Sequence, residues 1–167
     1  MKKAIFVLPL FILTACSHSY YVVRHAEKAS ASGSMAANDP PLTEKGTRRA
    51  IALKDSLIGK GIHYIFSTNT IRTKTTAGPL AESIAKPIAT YKPIPDSSFL
   101  AQLKALKKNT LIVGHSNTID DVINGLCGTK KLPADLADSE YDNLYIIKYS
   151  GKKFKSFVQK KYGEPGH

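Results

Sequence analysis

Residues 20–28 read Tyr20-Tyr21-Val22-Val23-Arg24-His25-Ala26-Glu27-Lys28. The aromatic and β-branched run at 20–23 has the character of a short buried strand, and the Arg-His pair falls where that strand must end. In an open α/β sheet, ligands bind in the crevice outside the carboxyl ends of the strands. A guanidinium and an imidazole delivered together to such a crevice suit an anion, and a phosphate in particular. What the rest of the chain sends to the same edge decides whether that reading holds.

Outward from this stretch, strands and helices alternate. The strand at 20–24 is followed by a loop at 28–41, rich in Ala, Ser and Gly and closed by Asp39-Pro40-Pro41, a candidate flap over a site. Thr43 is a plausible N-cap, and Ala50, Leu53, Leu57 and Ile58 recur at helical spacing up to Gly59. A strand at 63–67, a helix over about 69–85 containing Pro79, and a short strand at 88–91 follow. Asp96 can cap a helix to about 107. The apolar run 110–113 is a strand ending in Gly114-His115, with a helix over about 118–126 behind it. Two final strands, 144–149 and 154–160, turn at Ser150-Gly151. The expected architecture is a three-layer α/β/α sandwich with a mainly parallel central sheet and a C-terminal β-hairpin.

Three successive strand ends therefore carry chemistry. Arg24-His25 comes first, then Ser67 with Arg72 in the first turn of the next helix, then His115. Parallel strands share a carboxyl edge, so these groups should meet although 47 and 90 residues separate Arg72 and His115 from His25. Two guanidiniums offer planar forks for phosphate oxygens, and the helix start at Arg72 adds backbone N–H donors. Of two imidazoles, one can attack phosphorus while the other stabilises the developing charge.

The quoted stretch, with Pro41-Leu42-Thr43-Glu44-Lys45-Gly46, Ser67-Thr68-Asn69-Thr70-Ile71-Arg72 and Val113-Gly114-His115-Ser116-Asn117-Thr118, resembles the histidine phosphatase superfamily, with its phosphoglycerate mutase-like fold. The resemblance covers residues 20–126. It implies a metal-independent phosphoric monoester hydrolase without a cofactor, in which His25 is phosphorylated and then released by water. Arg24, Arg72 and His115 would hold the phosphate of a small phosphorylated substrate. The five histidines also lack zinc-ligand spacing. Many relatives carry a Glu that protonates the leaving oxygen; here the candidate general acid is Asp96, which is equally suited to capping a helix, with Glu27 and Glu82 weaker. The chain between Arg72 and His115 is too short for the lid mutases use, which favours hydrolysis.

At 167 residues, with 43% hydrophobic and 22% charged residues, the chain is one domain able to bury a core without disulfides. Residues 1–15 have a basic start at Lys2-Lys3 and a ten-residue apolar stretch from 4 to 13, too short to span a membrane but right for a signal peptide. Leu13-Thr14-Ala15-Cys16 resembles a bacterial lipobox, which implies a lipidated Cys16, a tether over 16–19 and a domain over 20–162 on the extracytoplasmic side of the cell envelope. Cys127 is then the one remaining thiol, read as a small core residue. The formal charge is +11, and +9 without Lys2 and Lys3. Its lysine clusters come with no nucleic-acid motif, so a solvated face that steers anions is expected, on a monomer that binds no nucleic acid. Two alternatives remain at this level: a phosphate-binding lipoprotein without turnover, and a protein phosphohistidine phosphatase.

Overall fold

The computed structural model describes residues 17–30 and 39–166. Ten elements alternate as expected: β1 (Ser17–Arg24), α1 (Glu44–Leu57), β2 (Tyr64–Thr68), α2 (Ile71–Ser83), β3 (Ile88–Tyr91), α3 (Ser97–Leu106), β4 (Thr110–Gly114), α4 (Ile119–Cys127), β5 (Asn143–Ser150) and β6 (Lys153–Lys161). One six-stranded sheet has the order β3-β2-β4-β1-β5-β6. The four strands from β3 to β1 are mutually parallel, and β5 and β6 form the antiparallel terminal hairpin.

Strand alternation feeds two separate cores. Tyr20, Val22, Ile112, Tyr145 and Ile147 point to one face, where α3 and α4 bring Phe99, Leu103, Val122, Ile123 and Leu126. Tyr21, Val23, Leu111 and Val113 point to the other face, against Leu53 and Leu57 of α1 and Ala77 and Leu80 of α2. Such two-sided burial is why β1 and β4 read as continuous apolar runs. Each fully buried Leu contributes about 1.5–3 kcal/mol by leaving water. Cys127 lies in the first of these cores.

The helix starts follow their sequence signals. Thr43 caps α1 by accepting from the Gly46 N–H at 3.0 Å, and Glu44 pairs with Arg48 one turn later. Thr70 caps α2, and Pro79 sits inside it. Asp96 caps α3.

One boundary needs correction. Residues 17–19, expected as a tether, are the start of β1: Ser17, His18 and Ser19 pair with Ser150, Tyr149 and Lys148. Polar residues hid this, since the pairing uses backbone groups that any side chain allows. Cys16, the 1–15 segment and most of the expected flap, 31–38, lie outside the described residues.

Candidate active site

Because β4 lies between β1 and β2, the carboxyl ends of these three strands are adjacent. The His25 N–H donates to the Gly114 carbonyl at 2.9 Å, which ties the end of β1 to that of β4. Gly114 is required there: a Cβ would stand 2.6 Å from the Tyr91 hydroxyl and 2.8 Å from Ile119. The rings of His25 and His115 then lie 5.5 Å apart.

Each imidazole has an assignable tautomer. His25 Nδ1 is 2.8 Å from the Ala26 carbonyl, which only accepts, so Nδ1 carries the proton and Nε2 keeps a lone pair. For His115, Arg72 Nη2 lies 3.4 Å from Nδ1 and can only donate. The proton is therefore on Nε2, which donates to Thr68 Oγ1 at 2.8 Å. Thr68 Oγ1 donates to Thr73 Oγ1 at 3.0 Å, and Thr73 Oγ1 donates to the Thr68 carbonyl at 2.9 Å. This chain of hydroxyls fixes the ring from β2 and α2.

Burial, with the charges of Arg24, His115 and Arg72 adding to it, pushes the pKa of His25 down to about 3 against the opposing Ala26 hydrogen bond. His115 falls to about 4, again chiefly through burial, then through Arg72. Both rings are neutral at pH 7. A bound phosphate dianion reverses that balance, favouring a protonated His115 that can donate to it.

The guanidiniums are held from behind. Arg24 Nη1 donates to the carbonyls of Ala137 and Asp138 at 2.9 and 3.3 Å, and its plane lies over the Tyr141 ring at 4.0 Å. Arg72 Nη1 donates to Asp39 Oδ1 at 3.0 Å. Each guanidinium retains a buried Nε–H with no partner among the described residues. The Asp39 carboxylate also accepts from the Ile71 N–H at 2.8 Å, so a side-chain anion sits at the start of α2.

His25, Arg24, Arg72 and His115 are thus brought together. Asp96 is not brought to them. Its carboxylate accepts from the Phe99 N–H at 2.9 Å and the Ser98 hydroxyl at 2.6 Å, and it lines a separate 150 Å³ depression with Tyr91 and Gln102. The Ser98, Phe99 and Lys92 hydrogen bonds hold its pKa down at about 2, which suits a cap and opposes proton donation. Glu27 is spent on Arg49, at 2.7–3.0 Å; that guanidinium also donates to the carbonyls of Tyr162 and Glu164. Glu82 is exposed in the last turns of α2, away from the carboxyl edge. Ser67 turns back to the Thr68 carbonyl, and Thr68 is the residue that meets His115. Sequence reasoning missed Thr68, Thr73, Asp39 and Tyr141. Thr68 had a signal, since alternation along β2 places it on the face opposite Ser67; Tyr141 had none. Among the described residues, no group of three His, Cys, Asp or Glu side chains could hold a metal ion.

An α/β protein that gathers two arginines and two neutral histidines at one strand edge is built to bind and transfer a phosphoryl group. Residues 20–94 match the histidine phosphatase superfamily (branch 1), whose members are phosphatases acting through a histidine. Among solved structures, it is similar to the protein histidine phosphatase SixA in complex with tungstate (16% identity, 84% of this chain and 96% of that one, TM-score 0.64). A mycobacterial glucosyl-3-phosphoglycerate phosphatase matches at 14% identity over 90% and 99% of the chains, with TM-score 0.62. Phosphoserine phosphatase from Entamoeba histolytica, bound to 3-phosphoglyceric acid, matches at 16% identity over 88% and 97%, with TM-score 0.59. At these identities the likeness is one of fold. None of the curated proteins compared matches the sequence.

Proposed function

We propose that this protein is a membrane-anchored, extracytoplasmic phosphatase that hydrolyses phosphomonoesters through a phosphohistidine on His25, without a metal. The observation that carries the proposal is the tautomer of His25. Its Nδ1 proton is fixed on the Ala26 carbonyl, leaving an unprotonated Nε2 beside His115 and near two cations. Nε2 attacks phosphorus, the P–O ester bond breaks, and the leaving oxygen departs with its electron pair and takes up a proton. Water then attacks the same phosphorus, the P–N bond breaks, and inorganic phosphate leaves. Arg24, Arg72 and His115 hold the phosphoryl oxygens through both steps.

Anchoring rests on the apolar stretch 4–13 and the Leu13-Thr14-Ala15-Cys16 motif. A substrate with a good leaving group, such as an aryl phosphate, an acyl phosphate or a phosphohistidine, fits a site whose Glu27, Asp39 and Asp96 carboxylates are committed to other partners. The test is trapping of an acid-labile, base-stable phosphoenzyme during turnover of 4-nitrophenyl phosphate. His25→Ala should abolish both the trapped species and turnover. Undiminished hydrolysis by that variant would overturn the assignment. Loss of membrane fractionation on Cys16→Ser tests the anchor separately.

A further inference from the structure

The active site occupies the carboxyl edge of the sheet; the opposite edge carries a different pattern. There the chain makes five turns, after α1, α2, α3 and α4 and within the β5–β6 hairpin. They contain Gly59-Lys60-Gly61, Ala85-Lys86-Pro87, Lys107-Lys108, Lys130-Lys131 and Lys152-Lys153, and residues 58–63, 84–87, 107–109, 128–132 and 150–153 hold no Asp or Glu. All eight lysines are exposed, and among the described residues none of them makes an ion pair. The nearest acids along the chain are Glu82, Asp135 and Asp55, the last of which pairs with Lys54. Acidic residues gather instead at the other edge, with Asp39, Asp96, Asp120, Asp121, Asp138 and Glu140 in or beside its loops. The net charge of +11 is therefore not spread evenly; it forms a pole.

Lysines after helix C-termini have an ordinary explanation, since they complement the negative end of the helix dipole. That accounts for Lys60, Lys86 or Lys130 singly. It does not account for Lys152-Lys153 in a hairpin turn, nor for the same sign in every turn of one edge. Large apolar side chains are also exposed at this edge, Ile58 at 52% and Tyr64 at 42%, as Ile71 and Ile94 are at the other. Lys104, Lys107, Lys152 and Tyr149 line a depression of about 480 Å³, with cationic walls and an aromatic wall, which suits a phosphate headgroup.

The position of the chain's N-terminus selects the occupant. Ser17 pairs with Ser150, next to Gly151-Lys152, so the 16 preceding residues, with their apolar stretch 4–13, leave the domain from the middle of this pole. Strand pairing from Ser17 leaves no spacer to carry the domain away from whatever holds that segment. We infer that this edge is a docking face for an anionic phospholipid bilayer: the lysines meet lipid phosphates, and Ile58 and Tyr64 meet the interface between headgroups and acyl chains. Docked in this way, β1 stands off the bilayer, and His25 lies about 26 Å away beyond its far end, facing solvent. This orientation builds on the proposed membrane anchor but is carried by different residues.

The test is vesicle co-sedimentation of the full chain, using phosphatidylcholine alone and phosphatidylcholine mixed with phosphatidylglycerol. Wild type should prefer the mixed vesicles, and high salt should remove that preference. The variant K60Q/K107Q/K108Q/K152Q/K153Q should lose about a thousandfold or more of the association with mixed vesicles. Its association with neutral vesicles and its hydrolysis of 4-nitrophenyl phosphate in solution should be unchanged. A variant that keeps the wild-type preference overturns the inference, as does one whose loss is confined to duplex DNA. Failure of the anchor has a separate signature: no binding to neutral vesicles by either protein, while the wild-type preference for anionic ones persists.

Discussion

The depressed pKa of His25 has a consequence measurable without a substrate. In the unfolded chain an imidazole titrates near 6.5, whereas in the fold His25 titrates near 3. Between these values the unfolded state binds a proton that the native state does not, so unfolding becomes easier as pH falls. The slope is about 1.4 kcal/mol per pH unit for one such group, which is about 3 kcal/mol between pH 6.5 and pH 4. The direction is that of a buried neutral base: stability is intact above the unfolded pKa and lost progressively down to the folded one. His115, depressed to about 4, adds in the same sense over most of that range. Urea unfolding from pH 7 to pH 4.5 in chloride buffer reads the slope directly; phosphate must be absent, because a bound anion would raise both imidazoles. His25→Asn should remove about 1.4 kcal/mol per pH unit from the slope in that window. An unchanged slope, or a His25 ring resonance titrating near 6.5, would refute the reasoning that burial keeps Nε2 unprotonated. The same property predicts that kcat/KM, which reports the free enzyme, does not fall from protonation of His25 between pH 7 and pH 5.

Three other perturbations have distinct readouts. Gly46→Ala puts a Cβ 2.3 Å from the Glu27 carbonyl oxygen, which is backbone and already accepts from the Thr43 N–H. The end of β1 must then move off α1, and urea unfolding should show a loss of about 1–3 kcal/mol. Asp39→Asn takes a negative charge away from Arg72 and the start of α2, so inhibition by inorganic phosphate should tighten by about fivefold, as a partly exposed ion pair allows. Asp96→Ala should leave the ratio of aryl to alkyl phosphate rates unchanged while lowering the urea midpoint, since the carboxylate accepts the Phe99 N–H at the start of α3.

The fold was legible because its signals are of the kind that periodicity carries. Tyr20 to Val23 and Thr110 to Val113 are continuous apolar runs because both sheet faces are covered, and Thr43 and Asp96 cap the helices they precede. The start of β1 was not legible, because Ser17-His18-Ser19 joins the sheet through backbone pairing with the hairpin. In the site, strand ends predicted the convergence of Arg24, His25, Arg72 and His115. Their supports are a different matter. Tyr141 and the carbonyls of Ala137 and Asp138 reach Arg24 from a loop more than a hundred residues on, and no spacing rule connects them. Asp39 looked like part of a turn before two prolines, and its contacts with Arg72 and the Ile71 N–H join positions more than thirty residues apart that no local pattern links.

The carboxylates at the carboxyl edge bear directly on which phosphates this site can cleave. Glu27 is held below its usual pKa: burial opposes ionisation, but the Arg49 hydrogen bonds outweigh it. It fixes Arg49, and through it the C-terminal carbonyls, against the end of β1. Asp96 is committed to three donors as a helix cap, and Asp39 to Arg72 and Ile71. Residues 29–38 contain no Asp or Glu at all. Glu27, Asp96 and Asp39 thus each hold a cation or an amide, whereas Asp120, in the first turn of α4, has its pKa pushed up by burial, and its buried Oδ1 has no hydrogen-bond partner among the described residues. Charge stabilisation by Arg24, Arg72 and His115 remains available to any phosphoryl group, whatever it is attached to. A site strong in that component, with Glu27, Asp39 and Asp96 committed to other partners, favours substrates with good leaving groups, with no need for a shaped substrate pocket. On this reasoning the basicity of the departing oxygen or nitrogen, more than the rest of the substrate, sets the rate.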